Sequence, residues 1–208
     1  MKKFEMSRED HKKHEIAKFP RKWSNTANRE KQRAEHINRI KDVFPDAKKV
    51  LCLGCRHESE VLQFLKHGFF ASGLDFAGKE TESVRIGDAH NLLDYYEENE
   101  FDIVYSSHSM EHMSDADIVL ENIRKVASMG TFIVLPSFGE AGPSHCSIFD
   151  VMTIAEEEGL DMGVKELSES SLMEDFKPLQ PHELVFFENM DYHKGWDRFI
   201  EMGLAFRW

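Results

Sequence analysis

The sequence predicts an open α/β fold built on a mostly parallel sheet with helices on both faces. Three observations carry this. Short apolar runs recur at 49–53, 69–74, 83–86, 101–105 and 131–135, the first three closed by Gly54, Asp75 and Gly87-Asp88. Two of the segments between them, 59–66 and 114–126, place apolar residues three and four apart, the period of an amphipathic helix. The two patterns alternate, as in βαβ units that stack strands in parallel.

Residues 1–24 are polar and basic with scattered Phe4, Ile16, Phe19 and Trp23, and are expected to be irregular in part. Residues 27–41 read as a helix carrying Ile37, Ile40 and Phe44 on one side, and Pro45-Asp46 ends it. Lys49-Val50-Leu51-Cys52-Leu53 reads as a buried strand closed by Gly54, and 59–66 as a helix with Val61, Leu62 and Leu65 inward. Strands follow at 69–74, ending at Asp75, at 83–86, ending at Gly87-Asp88, and at 101–105. Ser114 and Asp117 have capping-box spacing, which predicts a helix through Val119, Ile123 and Val126 that ends before Gly130. Residues 131–135 form a fifth strand; Ser147 and Asp150 repeat the cap spacing ahead of a stripe of Ile148, Val151, Met152 and Ala155 that Gly159 ends. Two further strands are expected near 161–167 and 183–188. The domain division is a basic, partly helical extension over 1–44, an α/β domain over 45–190, and a segment over 191–208 packed on it or extending it.

Composition narrows the function classes. The 208 residues are 41% apolar, enough for a core, and contain no apolar run of membrane-spanning length. No secretory signal is visible, and three cysteines are too few for a disulfide scaffold, so a reduced compartment, the cytoplasm, is expected. Residues 1–49 carry 15 Lys and Arg against 8 Asp and Glu, whereas residues 50–208 carry 11 against 30. An acidic body of this kind disfavours nucleic acid as a partner. The basic arm reads as a solvated helix face docked on that body.

Ligands of open α/β sheets bind outside the carboxyl ends of the strands. The residues there are Gly54-Cys55-Arg56, Asp75-Phe76, Asp88-Ala89 and Ser106-Ser107-His108. A Gly turn lets backbone approach closely, a carboxylate after the second strand suits a ribose diol, and one after the third can accept from an adenine amine. Taken in order these describe an adenosine site; taken singly, each Asp reads as a turn cap.

The run Val50-Leu51-Cys52-Leu53-Gly54-Cys55-Arg56 resembles the first motif of class I S-adenosylmethionine-dependent methyltransferases. Gly73-Leu74-Asp75 is similar to their ribose-binding motif, Gly87-Asp88-Ala89 to their adenine-side motif, and 101–112 to the fourth-strand motif of the small-molecule, type 11-like branch. Met129-Gly130-Thr131 stands where that branch has a Gly-rich turn. The resemblance covers roughly 45–190. It implies a Rossmann-like, seven-stranded sheet, S-adenosyl-L-methionine as cofactor, and methyl transfer to a small-molecule or sugar acceptor. It also implies cofactor contacts from Gly54, Cys55, Arg56, Glu60, Asp75, Phe76, Asp88, Ala89, Ser106 and Ser107. The first motif is degenerate: Cys52 replaces an acidic residue, and Arg56 and Glu58 replace two glycines. Arg56 and Glu60 match a variant reading Leu-Cys-Leu-Gly-x-Arg. Arg56 either pairs the methionine carboxylate of the cofactor or pairs Glu58 or Glu60.

An oxygen acceptor would need a base. His108 is the first candidate, followed by His145, on the loop after the fifth strand, and His112. Residues 137–147 and the arm 1–44 are the expected acceptor lid. Two other classes stand beside this one: a non-catalytic binder of S-adenosylmethionine or a nucleoside, motivated by the degenerate motif, and a zinc hydrolase using His108-Ser109-Met110-Glu111-His112, which spells H-x-x-E-H. The hydrolase ranks below the others because 108–113 follows a strand directly, and no metal is expected. Cys52-Leu53-Gly54-Cys55 spells C-x-x-C, but Cys52 lies inside the strand and reads as a buried hydrophobe. A nicotinamide site fails at Arg56 and Ser59, where G-x-G-x-x-G needs glycines. Oligomeric state is not legible.

Overall fold

The computed structural model describes residues 1–18, 27–136, 145–149, 173–192 and 199–208. Along the chain, the short strand β1 (Lys2–Lys3) and helices α1 (Arg8–Lys18) and α2 (Ala27–Val43) precede the sheet. Then come β2 (Lys49–Leu53), α3 (Glu58–Lys66), β3 (Phe70–Asp75), β4 (Val84–Ile86), β5 (Phe101–Ser107), α4 (Ala116–Val126) and β6 (Ala127–Pro136). The short strand β7 (Ser147–Ile148) and the long strands β8 (Glu183–Tyr192) and β9 (Phe199–Arg207) complete the described strands.

Seven strands form one sheet in the order β4-β3-β2-β5-β6-β9-β8. The first five are parallel, and β9 runs antiparallel to both β6 and β8. The chain builds outward from β2 in one direction through β3 and β4, and in the other through β5 and β6. The strand order therefore reverses between β2 and β5, and the crevice for a ligand lies at their carboxyl ends.

β2 and most of β5 and β6 are buried, as nearly continuous apolar runs at the centre of a two-faced sheet must be. Alternate residues separate into two cores. Val50, Cys52, Ile103 and Tyr105 face Ile37 and Ile40 of α2 and Val61 and Phe64 of α3. Leu51, Leu53 and Val104 face Val119, Leu120 and Ile123 of α4, together with Phe176 and Phe206. Each fully buried side chain of this size contributes about 1.5–3 kcal/mol. One polar bond is set into the first core: His36 Nδ1 lies 2.7 Å from the Tyr105 hydroxyl, fixing α2 against β5.

Four local expectations are corrected. Leu62 and Leu65, expected inward on α3, are exposed, and Gln63 and Phe64 are buried beside Val61 instead. The N-cap of α4 is Asp115, with no side-chain cap bond, and the Ser114 hydroxyl is buried without a hydrogen-bond partner among the described residues. The Asp117 carboxylate expected to complete the box instead meets Lys3 of the arm at 2.5 Å, and Asp115 pairs with Arg8 at 2.9 Å. Gly130 does not end α4; it lies inside β6, where an added Cβ would come within 2.2 Å of the Phe206 carbonyl oxygen. Ser147 does not open a helix. It belongs to β7, which pairs antiparallel with β1, and its hydroxyl donates to the Met113 carbonyl at 2.8 Å. The expected helix over 151–159 and strand near 161–167 lie outside the described residues, whereas the strand expected near 183–188 is β8. No helix among the described residues is long and apolar enough to cross a membrane.

Candidate functional site

Register decides which residues share the crevice. Leu53 lies opposite Leu74 on β3 and Ser106 on β5, so Gly54, Asp75 and Ser107 emerge side by side at the carboxyl edge. Gly54 has φ +70°, and its N–H donates to the Leu74 carbonyl at 2.8 Å. An added Cβ there would stand 1.7 Å from Ser109 Oγ. The close approach that Gly54 permits is thus to the loop after β5.

Both oxygens of Asp75 are oriented by backbone. Arg56 N–H donates to Oδ2 at 2.8 Å and Ala77 N–H to Oδ1 at 2.8 Å. Burial raises the Asp75 pKa above the usual carboxylate value; the two N–H donors pull it down, and Glu15 of α1 adds to the rise. A carboxylate oxygen offers two acceptor directions, so each oxygen can take one further donor. Arg56 itself has φ +50°, which turns the loop back over β3.

The neighbouring acidic residues divide in role. Glu58 accepts from Ser83 Oγ at 2.7 Å, tying α3 to the approach of β4 and lowering its own pKa. Glu60 is buried with Arg33 of α2 3.7 Å away, and desolvation raises its pKa to about 7 despite that guanidinium. Asp88 caps the turn that follows β4: its Oδ1 accepts from His90 N–H at 2.9 Å and lies 2.6 Å from His90 Nδ1, and the His90 side chain brings its pKa down to about 2. Ala89 is buried, and Phe76 meets the His11 ring at 6.1 Å. Ser106 is buried with no hydrogen-bond partner for its hydroxyl among the described residues, while Ser107 is half-buried. Cys52, Cys55 and Cys146 are buried free cysteines, and burial pushes the Cys52 and Cys55 thiols up, so they remain protonated and unreactive at neutral pH.

The three histidines converge. His108 has φ +50° at the end of β5, and its Nδ1 lies 3.7 Å from Glu111 Oε1. Residues Met110–His112 form a single 3-10 turn, not an α-helix, so H-x-x-E-H does not present two imidazoles on one α-helical face. His112 instead meets His145, the ring centroids 5.1 Å apart. Sequence reasoning named Glu111 only within the H-x-x-E-H motif and missed Glu15 and His11 as members of this site. The His11–Glu15 spacing of four on a helix was the available signal, but nothing local says that α1 lies across Phe76, Asp75 and His112.

Residues 51–135 match the family profile described as Methyltransferase domain. No curated protein matches in sequence. Among solved structures, the complex between the Haloferax volcanii Trm112 methyltransferase activator and a methyltransferase is similar at 13% identity and TM-score 0.59, over 97% of each chain. An S-adenosylmethionine-dependent methyltransferase from Archaeoglobus fulgidus is similar at 15% identity and TM-score 0.51, over 85% of this chain and 94% of that one. The N-terminal domain of EvdMO1, solved with SAH and D-fucose, is similar at 14% identity and TM-score 0.54, over 97% of each. These likenesses establish the fold.

Proposed function

We propose that this chain is a class I methyltransferase that binds S-adenosyl-L-methionine and methylates an oxygen of a small-molecule or sugar acceptor. One observation carries the reading: the Asp75 carboxylate, aligned by two backbone N–H groups, stands beside the Gly54 turn at the point where strand order reverses. That arrangement accepts a ribose diol with both remaining acceptor directions and fits the cofactor's nucleoside. The acidic body, and the sugar in the EvdMO1 structure, support a small polar acceptor.

S-adenosylmethionine supplies a methyl group already activated on a sulfonium, so the protein's work is orientation and proton removal. Asp75 holds the ribose and Asp88 stands on the adenine side. Arg56, on the turn over Asp75, is the candidate partner of the cofactor carboxylate. With the cofactor bound and supplying the methyl group, His108 would take the proton from the acceptor's hydroxyl. Glu111, 1% exposed and 3.7 Å from His108 Nδ1, steadies the imidazolium that results.

A second reading, a binder without catalysis, is favoured by the replacement of the first motif's acidic residue and glycines by Cys52, Arg56 and Glu58. Calorimetric titration with S-adenosylmethionine and its demethylated product tests the shared premise. Micromolar binding that Asp75→Ala abolishes is expected; a folded protein that binds neither compound overturns both readings. Turnover of a screened hydroxyl acceptor, lost in His108→Ala, separates the enzyme from the binder.

A further inference from the structure

The side chains Glu111, His112 and His145 bring one oxygen and two imidazole nitrogens within 4.8 Å of one another. Two of these residues sit in the turn after β5, and the third arrives from beyond β6. Two hydrogen bonds to backbone carbonyls fix the meeting. Ser147 Oγ donates to the carbonyl of Met113, the residue after His112, and Phe4 N–H donates to the Cys146 carbonyl, the residue after His145, both at 2.8 Å. The position of His145 is thus built, not incidental to a loop.

We propose that Glu111, His112 and His145 form a binding site for a divalent transition-metal cation, zinc by ligand chemistry, which holds the acceptor's oxygen. Two imidazoles and one carboxylate, with a fourth position open, are a ligand set zinc takes in catalytic sites. Tetrahedral bonds of about 2.1 Å place ligand atoms about 3.4 Å apart, so the three groups need only draw together by side-chain rotation. The charges agree. Glu111 is 1% exposed, and a buried carboxylate needs positive charge close by. A divalent cation held between the three side chains would supply that charge.

A second layer points the same way. His112 presents Nε2 to Glu111 at 3.9 Å and Nδ1 to Glu15 at 3.9 Å. A carboxylate on the far nitrogen of a ligating histidine sets its orientation and raises its basicity. Glu15, from the arm, is therefore a positioning residue, and the buried face of α1 completes the site.

The role in methyl transfer rests on the function proposed above. Ser109, between His108 and the Glu111–His112 pair, packs on Gly54, so the cation would stand beside the cofactor turn. A hydroxyl bound to it would lose its proton more readily, and His108, whose Nδ1 lies 3.7 Å from Glu111 Oε1, is the base the proposed function assigns to receive that proton.

The test uses the full chain without a histidine tag, stripped of metal by chelation. Titration with zinc chloride is expected to show one saturable site, and cobalt(II) is expected to give the visible bands of a bound ion. His112→Ala and His145→Ala should each weaken zinc tenfold or more and abolish the cobalt spectrum. Glu111→Gln, close to isosteric, should do the same with the fold retained by circular dichroism, and His67→Ala, at the end of α3, should change nothing. Absence of saturable zinc and cobalt binding, or binding unchanged in both histidine variants, overturns the site. S-adenosylmethionine is titrated in parallel on the metal-free protein. Zinc binding without cofactor binding would remove the role in methyl transfer and leave the cation site standing, so the two readings fail separately.

Discussion

The backbone N–H of Arg56 donates to the Asp75 carboxylate across 2.8 Å, joining the loop after β2 to the end of β3. This bond explains how the chain keeps an ordered turn although Arg56 and Glu58 stand where glycines are expected. Asp75 therefore has two duties, to hold the loop and to accept a ribose. Asp75→Ala removes two charge-assisted bonds to backbone as well as the ribose acceptor. It is expected to lower stability by about 1–3 kcal/mol and to weaken cofactor binding by a hundredfold or more. Asp75→Asn leaves one carbonyl oxygen to accept, and should recover much of the stability but little of the binding. Urea unfolding and calorimetry on the two variants check this; binding and stability that recover together in the Asn variant would deny the second duty.

Gly54 and Ser109 form a pair that is tested together. Gly54→Ala meets two penalties, a left-handed backbone (φ +70°) and a Cβ 1.7 Å from Ser109 Oγ. A non-Gly residue there costs about 1 kcal/mol for conformation and an overpacked contact about 1–3 kcal/mol more. Ser109→Gly removes the atoms in the way, so the double variant should recover the packing loss and keep the conformational one. Additive losses in the double-mutant cycle would mean that the loop after β5 does not rest on Gly54.

Glu60 makes stability depend on pH. Its folded pKa is about 7 against an ordinary 4.5, with burial as the largest cause. Since the folded state holds the proton more tightly, its stabilising effect is full below pH 4.5 and is lost as pH rises through 7. The span corresponds to about 3 kcal/mol at most, with Arg33 already counted against it. Glu60→Gln is therefore expected to gain stability relative to wild type on going from pH 5 to pH 8. Urea midpoints at the two values measure it; a difference between the proteins that does not change with pH refutes the assignment.

What the sequence made legible follows from how local each signal is. Gly54, Asp75 and Asp88 each sit directly after an apolar run, and strand direction alone carries them to one edge of the sheet. The capping box at Ser114 and Asp117 has the right spacing and still does not form, because Lys3 and Arg8 arrive from the arm and pair with Asp117 and Asp115. Ser147 likewise has the spacing of a cap, and the partner that makes it a strand is Lys3. Glu15 and His145 join the histidine cluster only through long-range packing, for which no short window of sequence carries a signal. The arm is the common cause: a basic segment that reads as a solvated face brings Lys3 and Arg8 to the start of α4 and His11 and Glu15 to the site.

Gly130 shows how a correct residue can be given the wrong reason. It reads as a helix terminator but lies in β6, facing β9. An added Cβ would meet the Phe206 carbonyl oxygen at 2.2 Å and the Phe44 ring at 2.5 Å. The ring can turn; the carbonyl is held by the β6–β9 ladder, in which Thr131 lies opposite Phe206 and Gly130 opposite Arg207. Gly130→Ala must therefore push β9 away from the sheet and unseat Phe206 from the core it shares with Phe176. A loss of about 3 kcal/mol or more is expected, which lowers Tm by roughly 6–12 °C for a chain of this length. Gly68→Ala is the control: it has φ +90° but nothing within 4 Å of the added Cβ, so it carries conformational strain alone, about 1 kcal/mol. If thermal unfolding shows Gly130→Ala no worse than Gly68→Ala, β9 slides without loss, and its pairing with β6 is not what seats the C-terminal strand.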